Sequence, residues 1–482
     1  MRILALIPPY TAMRPRLLDM IRGMELAGHL VIREQLDAYV RLQQSVVKAH
    51  GNKPSKESRE HSIAYAQYLT HIVRRHQIQL MFGMWAEPLL TLPEKPVGDR
   101  IALVNELLGI PFLHYWPISP DRIYTEGILK SIARRRLVGR YHFHLTHNQS
   151  DIPAFQHSFG FENVLVTPPA IDEATYRPWR EIKAEPAEYD LAINCSREDI
   201  RPTPFMLEQL ERDEPSTEGI RRDQLESARG ELVKSFNSLP GVSADLASDL
   251  TNSLIDEQLR DAQRSLDEKL AAVISSRLPQ AKGAVEALVR DIAIRGRVNR
   301  LLQTSEMWRR PFYAAYLSRR FKCLIMGDSD LDGWGVKGDH LGYVAHYELA
   351  RNYGRAAAGL NVSRQYDAVG FNAKPFEIAG SGALLLQRRR RGFDSLYKDG
   401  EECLVFRQPQ EAAALLQDLL KNHERRVKLI RAGVERTMME HRWMSRMGRL
   451  LDRIEHRLIE VSQNSPIPFE SITDEKKEGE TE

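Results

Sequence analysis

Short unbroken apolar runs recur along the first part of the chain, with amphipathic stretches between them. RILALI at residues 2–7 is stopped by Pro8 and Pro9, the pattern of a strand buried on both faces and followed by a loop. Helical periodicity appears at residues 16–28 and 64–76, and further apolar runs lie at 78–85 (IQLMFGMW), 110–119 (IPFLHYWPIS), 141–148 (YHFHLTHN) and 163–172 (NVLVTPPAID). Strands alternating with helices in this order predict a parallel sheet covered on both faces. The segment around Pro168, Pro169 and Pro178 reads as a linker, and residues 188–196 (EYDLAINCS) open a second unit.

From about residue 200 to 300 the pattern turns charged and helical. Leu246, Leu250, Leu254, Leu259, Leu266, Leu270 and Leu278 mostly keep steps of four, an amphipathic stripe. A continuous helix over 243–278 would be about 50 Å long. Its seam is imperfect as a heptad, so a helical hairpin packed on the body is expected, with a homodimer through this insertion as the second expectation. Apolar runs then return at 321–330 (FKCLIMGDSD), 341–344, 356–363 (AAAGLNVS), 383–386 and 403–406. One long helix is predicted from 424 to about 461, striped by Trp443, Met447, Leu450, Ile454 and Leu458, and the tail after it is polar and reads as disordered.

The expected fold class is therefore α/β, two Rossmann-like domains facing a cleft. The first domain spans 1–175; the second takes 186–200 and 297–440. Between those two parts lies a helical insertion at 201–296, and a crossover helix at 441–462 precedes the tail at 463–482.

Composition narrows the function classes. A net charge of +3 on 482 residues gives no global attraction to nucleic acid or to an anionic membrane. No apolar run approaches the roughly 20 residues a membrane span needs. The N-terminal apolar run is too short for a signal peptide, so a cytoplasmic protein is expected. Cys195, Cys323 and Cys403 are scattered without metal-ligand spacing and are expected to be reduced. GxSxG, HExxH, Walker and GxGxxG motifs are missing, and MGDSDLDGWG lacks the closing glutamate of a calcium loop. No metal and no cofactor are expected.

The most informative stretch is NAKPFEIAGSGALLLQ, residues 372–387. It reads as a loop, a helix start at 374–377, a small-residue elbow at Gly380, Ser381 and Gly382, and a buried strand. An acid and several backbone amides are thereby expected at the carboxyl edge of a parallel sheet, where open α/β sheets bind ligands. Together with HYELARNYGRAAAGLNVSR before it and DGEECLVF and His441 after it, this stretch resembles the C-terminal domain of GT-B glycosyltransferases of the group 1 kind, in the branch with spore-maturation-type proteins. The resemblance covers roughly residues 320–455.

The resemblance implies a nucleoside-diphosphate sugar as co-substrate and an unidentified glycan, protein or small-molecule acceptor. It implies transfer with retention and without a metal. Glu377 would accept from the ribose hydroxyls, and the amides of Gly380, Ser381 and Gly382 would approach the diphosphate. Asn372, Asn361 and Arg364 would stand at the donor edge, while His114, Lys374 and Arg197 would carry catalysis, the histidine facing the sugar and the cations the leaving group. His147 and Asn148 are second candidates in the first domain, and the run Arg388–Arg391 reads as a solvated loop or an anion site. Where the family carries its first glutamate this chain has Val369. That departure leaves a non-catalytic binding or assembly protein, or a nucleotide-sugar epimerase, as alternatives.

Overall fold

A computed structural model describes residues 1–9, 14–41, 45, 56–84, 91–97, 100–118, 139, 141–183, 185–195, 200–327, 331–363 and 370–464. The first lobe begins with β1 (Arg2–Ile7), α1 (Arg14–Leu26), β2 (Leu30–Gln35), α2 (Lys56–His76) and β3 (Leu80–Met84). After a hairpin of β4 (Thr91–Val97) and β5 (Arg100–Leu103) come α3 (Val104–Leu107), β6 (Phe112–Trp116), β7 (His142–Thr146) and β8 (Asn163–Val166). Six of these strands form one sheet in the order β2-β1-β3-β6-β7-β8, parallel throughout. β2 (LVIREQ) was not expected as a strand: it is an edge strand with exposed Leu30, Arg33 and Gln35, so its polar sequence carries no buried run.

The second lobe starts with β9 (Tyr189–Asn194). Seven helices follow: α4 (Pro204–Leu210), α5 (Thr217–Asn237), α6 (Ala244–Arg260), α7 (Leu266–Ser276), α8 (Lys282–Arg290), α9 (Ile292–Met307) and α10 (Arg309–Ser318). The sheet resumes with β10 (Cys323–Met326), β11 (Asp339–His340), α11 (Leu349–Tyr353), β12 (Ala356–Asn361), α12 (Lys374–Gly380), β13 (Leu384–Arg388) and β14 (Leu404–Phe406). Its order is β11-β10-β9-β12-β13-β14, again all parallel. The chain closes with α13 (Pro409–Lys421), α14 (His423–Glu440) and α15 (Trp443–Asn464). The two-sheet α/β class expected from the strand pattern is the class observed.

Three local expectations change. The leucine stripe at 243–278 is split between α6 and α7 by Asp261–Ser265, where Ser265 caps α7 with a reciprocal bond to Glu268; Leu250, Leu254, Leu266 and Leu270 are buried in the insertion's own core. The strand expected at 341–344 is a two-residue edge at 339–340 instead, ended by Gly342 at φ +66°. The single helix expected from 424 to 461 is broken at His441 and Arg442, because the Ile171 N–H bonds the His441 carbonyl and the Trp443 N–H bonds the Ile171 carbonyl. Of the tail expected at 463–482, Gln463 and Asn464 still belong to α15, and the rest lies outside the described residues.

Two elements tie the lobes together. From the second lobe α15 returns to the first, and Trp443, Met447, Leu450, Leu451 and Ile454 share a core with Leu17, Met20, Ile21 and Met24 of α1. At the closest approach a Cβ on Gly23 would lie 2.6 Å from Trp443 Cβ and 2.7 Å from its backbone carbonyl carbon. Gly23→Ala is therefore expected to cost about 1–3 kcal/mol by forcing the helices apart. Chemical denaturation checks this, and a loss below half a kcal/mol would show that the helices yield freely. The insertion also spans the lobes: Ile292 enters a first-lobe core, and Arg295 bonds Ser158 Oγ at 3.0 Å.

Candidate active site

In each sheet the first strand is flanked on both sides by later ones, so chain connections diverge at the carboxyl ends of β1 and β9. Ligands of open α/β sheets sit at such points. The two carboxyl edges enclose one cavity of about 410 Å³. The first lobe contributes Arg16 and Asp19 from the start of α1, Tyr115 from β6 and His147 just past β7. The second contributes Asn194 at the end of β9, Gly327 after β10, Asn372 and Lys374 after β12, and Glu377. Arg310 reaches the cavity from α10.

Glu377 is 1% exposed. Its Oε1 lies 3.3 Å from Arg16 Nη2 across the cleft, and its Oε2 has no hydrogen-bond partner among the described residues. A buried carboxylate oxygen without a donor is costly, and a ligand hydroxyl would satisfy it. Lys374 donates from Nζ to the Asn194 carbonyl, which brings its ammonium over the gap between β9 and β12. The Asn372 side-chain carbonyl accepts from the Lys374 N–H at 3.1 Å and so holds the start of α12. Arg310 Nε donates to the Val362 carbonyl at the end of β12, 3.2 Å away.

The opposite wall is a set of groups oriented by hydrogen bonds. His147 donates from Nδ1 to the Thr167 carbonyl (2.7 Å), so its Nε2 accepts from the Tyr115 hydroxyl (2.5 Å). Burial holds the His147 imidazole at a pKa of about 4, so it is uncharged at neutral pH. Asp19 Oδ2 meets His346 Nε2 of the second lobe at 2.7 Å, and the other ring nitrogen of His346 faces the Tyr176 hydroxyl at 3.2 Å. Burial pushes the Asp19 carboxyl up, against the opposing pull of His346. A backbone bridge between Asn148 and Gly370 adds a further cross-lobe contact.

Several expected site residues fall elsewhere. His114 is 2% exposed and faces away from the cavity: side chains alternate along β6, so Tyr115 takes the cavity side and His114 the core side. There it meets His142 at 3.0 Å and stacks on His144. Gly380, Ser381 and Gly382 sit at the carboxyl end of α12, not its amino end; they present the wrong polarity for a phosphate and lie about 10 Å of helix from Lys374. A Cβ on Gly380 would meet Ile171 Cδ1 at 2.8 Å, so that elbow serves tight packing on the linker.

Asn361 is fully buried and donates to Gln387 at 2.7 Å; it supports Asn372 rather than lining the cavity. The arginine run is split: Arg388 and Arg390 are buried, Arg389 is partly exposed and pairs with Asp394 at 2.9 Å, and exposed Arg391 pairs with Glu268 at 2.7 Å and staples the insertion to the lobe. Arg197, Arg364 and Val369 lie outside the described residues. No group of metal-ligating side chains is found among the described residues, and no described helix is long and apolar enough to cross a membrane.

Sequence reasoning missed Arg16, Asp19, His346 and Arg310. Arg16 and Asp19 do carry a signal, since residues three apart near the start of the helix after the β1 loop share a helix face.

Residues 306–452 match a family model described as glycosyl transferase-like, a span that holds Arg310, His346, Lys374 and Glu377. No curated protein matches the chain in sequence. Among solved structures, a glycosyltransferase from Rickettsia africae is 11% identical at a TM-score of 0.44, covering 95% of this chain and 98% of that one. Sucrose-phosphate synthase from Thermosynechococcus elongatus is 12% identical at 0.45, covering 96% and 100%. Anabaena HepE, described in complex with UDP-glucose, is 10% identical at 0.43, covering 96% and 100%. The fold assignment stands on the chain's own two parallel sheets.

Proposed function

We propose that this glycosyltransferase takes its sugar from a nucleoside-diphosphate sugar held by the second lobe and passes it to an acceptor lying against the first. Residues 186–200 with 297–440 hold the donor in this reading, and residues 1–175 face the acceptor. The observation that carries it is the Glu377 carboxylate: buried, at the cavity wall, with one oxygen lacking a donor among the described residues. The vicinal hydroxyls of a ribose fit such a carboxylate, each donating one hydrogen bond.

Departure of a nucleoside diphosphate builds negative charge on the leaving oxygen. Preorganised cations stabilise such charge, and Lys374 and Arg310 are proposed for this, supported by their place in the cavity lining. Arg197 and Arg364 remain proposed for the same edge. Tyr115 and neutral His147 offer an uncharged wall suited to sugar hydroxyls. The spore-maturation-type branch, retention of configuration and metal-independent transfer follow from the resemblance of residues 320–455 alone.

The test is a panel of uridine, guanosine, adenosine and thymidine diphosphate sugars, with melting temperature followed first and release of nucleoside diphosphate second. One member at 100 times its Kd should add about 2.7 kcal/mol of stability. Stabilisation by none would sink the donor site. Stabilisation without transfer or hydrolysis would make the protein a binding module.

A further inference from the structure

The carboxylate assigned to the donor is met by an arginine from the other lobe. Arg16 lies in the first turn of α1, and its guanidinium reaches Glu377 Oε1 at 3.3 Å while one third of its side chain stays open to the cavity. Glu377 itself is almost fully buried, and Arg16 is the cation that meets its carboxylate from the first lobe. One helical turn on, Asp19 meets His346 at 2.7 Å, also across the cleft. Arg16 and Asp19 thus dock the same face of α1 onto the second lobe, one at α12 and one just before α11.

We propose that Arg16 is a positioning residue for the donor, supplied by the acceptor-side lobe, and that the donor site is complete only when α1 is seated on the second lobe. The inference rests on the ribose reading of Glu377. A carboxylate has lone pairs for about four hydrogen bonds, so Arg16 on Oε1 leaves Oε2 and the second lone pair of Oε1 for a diol. The guanidinium holds the carboxylate in one rotamer and keeps it charge-paired. Donor affinity would then report lobe closure without any residue of the first lobe touching the base.

Isothermal titration of the full chain with the tightest-binding nucleoside diphosphate among UDP, GDP, ADP and TDP tests this, with Arg16→Ala, Arg16→Lys, Glu377→Gln and the double variant Arg16→Ala/Glu377→Gln. Melting curves confirm that each variant folds. Arg16→Ala is expected to weaken binding roughly ten- to a hundredfold, less than the full cost of breaking a buried charge pair because Arg16 is one-third exposed, and Arg16→Lys to recover part of the loss. Because Arg16 acts through Glu377, the double variant should bind about as weakly as Glu377→Gln alone.

Additive losses would overturn the inference, as would tighter binding by Arg16→Ala, which would make Arg16 a plug that the ribose must displace. If Glu377→Gln binds like the parent protein, the ribose reading itself fails. Loss in Glu377→Gln with none in Arg16→Ala removes only the role of Arg16. No binding by the parent protein to any of the four removes both.

Discussion

Alanine at position 377 is expected to lower kcat/KM for the donor by about two to four orders of magnitude while leaving the protein folded. Two hydrogen bonds from ribose hydroxyls to a charged acceptor contribute about 1.5–3 kcal/mol each, and both vanish with the carboxylate. The ribose lies away from the bond that breaks, so most of the loss should appear as a raised KM and less as a lowered kcat. Folding should change little, for an asymmetric reason. Removing Glu377 takes away a buried charge whose Oε2 lacks a partner among the described residues, and strands only Arg16, which water already reaches. Removing Arg16 leaves the buried carboxylate behind, the costlier half of a pair to strand. Steady-state kinetics with a donor that stabilises the protein, alongside a melting curve, would settle both halves. An unchanged kcat/KM would refute the ribose role.

How much of this was legible in the sequence follows from the range of each signal. The buried strands β1, β3, β6, β7, β9, β12 and β13 announce themselves because parallel strands covered on both faces need continuous apolar runs. β2 and β11 do not, since an edge strand is half in water and its residues follow no such rule. Glu377 and Lys374 could be expected at the cavity that both line because they lie within four residues of each other at the start of one helix, after a strand whose carboxyl edge could be read directly. The glycine elbow was misplaced for a related reason: the same stretch gives the order of its parts but not the length of the helix between them. A helix start of one turn would have left Gly380 near the ligand edge, whereas the helix runs on to Gly380 and carries it to the opposite end.

His114 shows the other failure. An apolar run reveals a strand without revealing which face looks at the cleft, and a shift of one residue exchanges every side chain between faces. The run His114, Tyr115, Trp116 offers polar tips on both faces, so only the sheet's setting decides that Tyr115 lines the cavity. Arg16 and His346, which come from opposite lobes, illustrate a further limit. Their partners are Glu377 and Asp19, more than three hundred residues away in the chain, and no local pattern encodes a pairing at that separation.

Acid should unfold this protein sooner than its carboxylates alone would dictate. Three buried histidines are held uncharged: His114 well below its ordinary value of 6.5, and His147 and His441 at about 4. Burial is the main cause in each. For His114 the neighbours His144 and His142 add to it. For His441 the adjacent Arg446 does the same, donating to Nδ1 at 2.6 Å while Nε2 donates to the Leu396 carbonyl. Because the folded values lie below the unfolded one, the unfolded chain binds more protons as pH falls below about 6.5. Stability contributed by these groups is therefore intact above pH 6.5 and is lost progressively down to the folded values.

Each proton taken up only by the unfolded state costs about 1.4 kcal/mol per pH unit, so three give a slope of up to about 4. Asp19, whose carboxyl is pushed up by burial, acts in the opposite sense, and Glu306, held at about 2, enters only at lower pH. The histidines thus govern the window between pH 6.5 and 4.5. From pH 6.5 to 5 the loss is at most about 6 kcal/mol, a large share of the roughly 5–15 kcal/mol that a domain's whole stability amounts to. Denaturant titrations at pH 7.5, 6.0 and 5.0 would read this directly. His147 and His441 lie at the joint between the lobes, since the Arg446 that bonds His441 also reaches the Pro168 carbonyl. Lobe separation should therefore accompany the loss, visible as an earlier change in donor binding than in secondary structure. A denaturation midpoint that stays constant from pH 7.5 to 5.0 would show that these histidines are protonated without penalty in the folded protein.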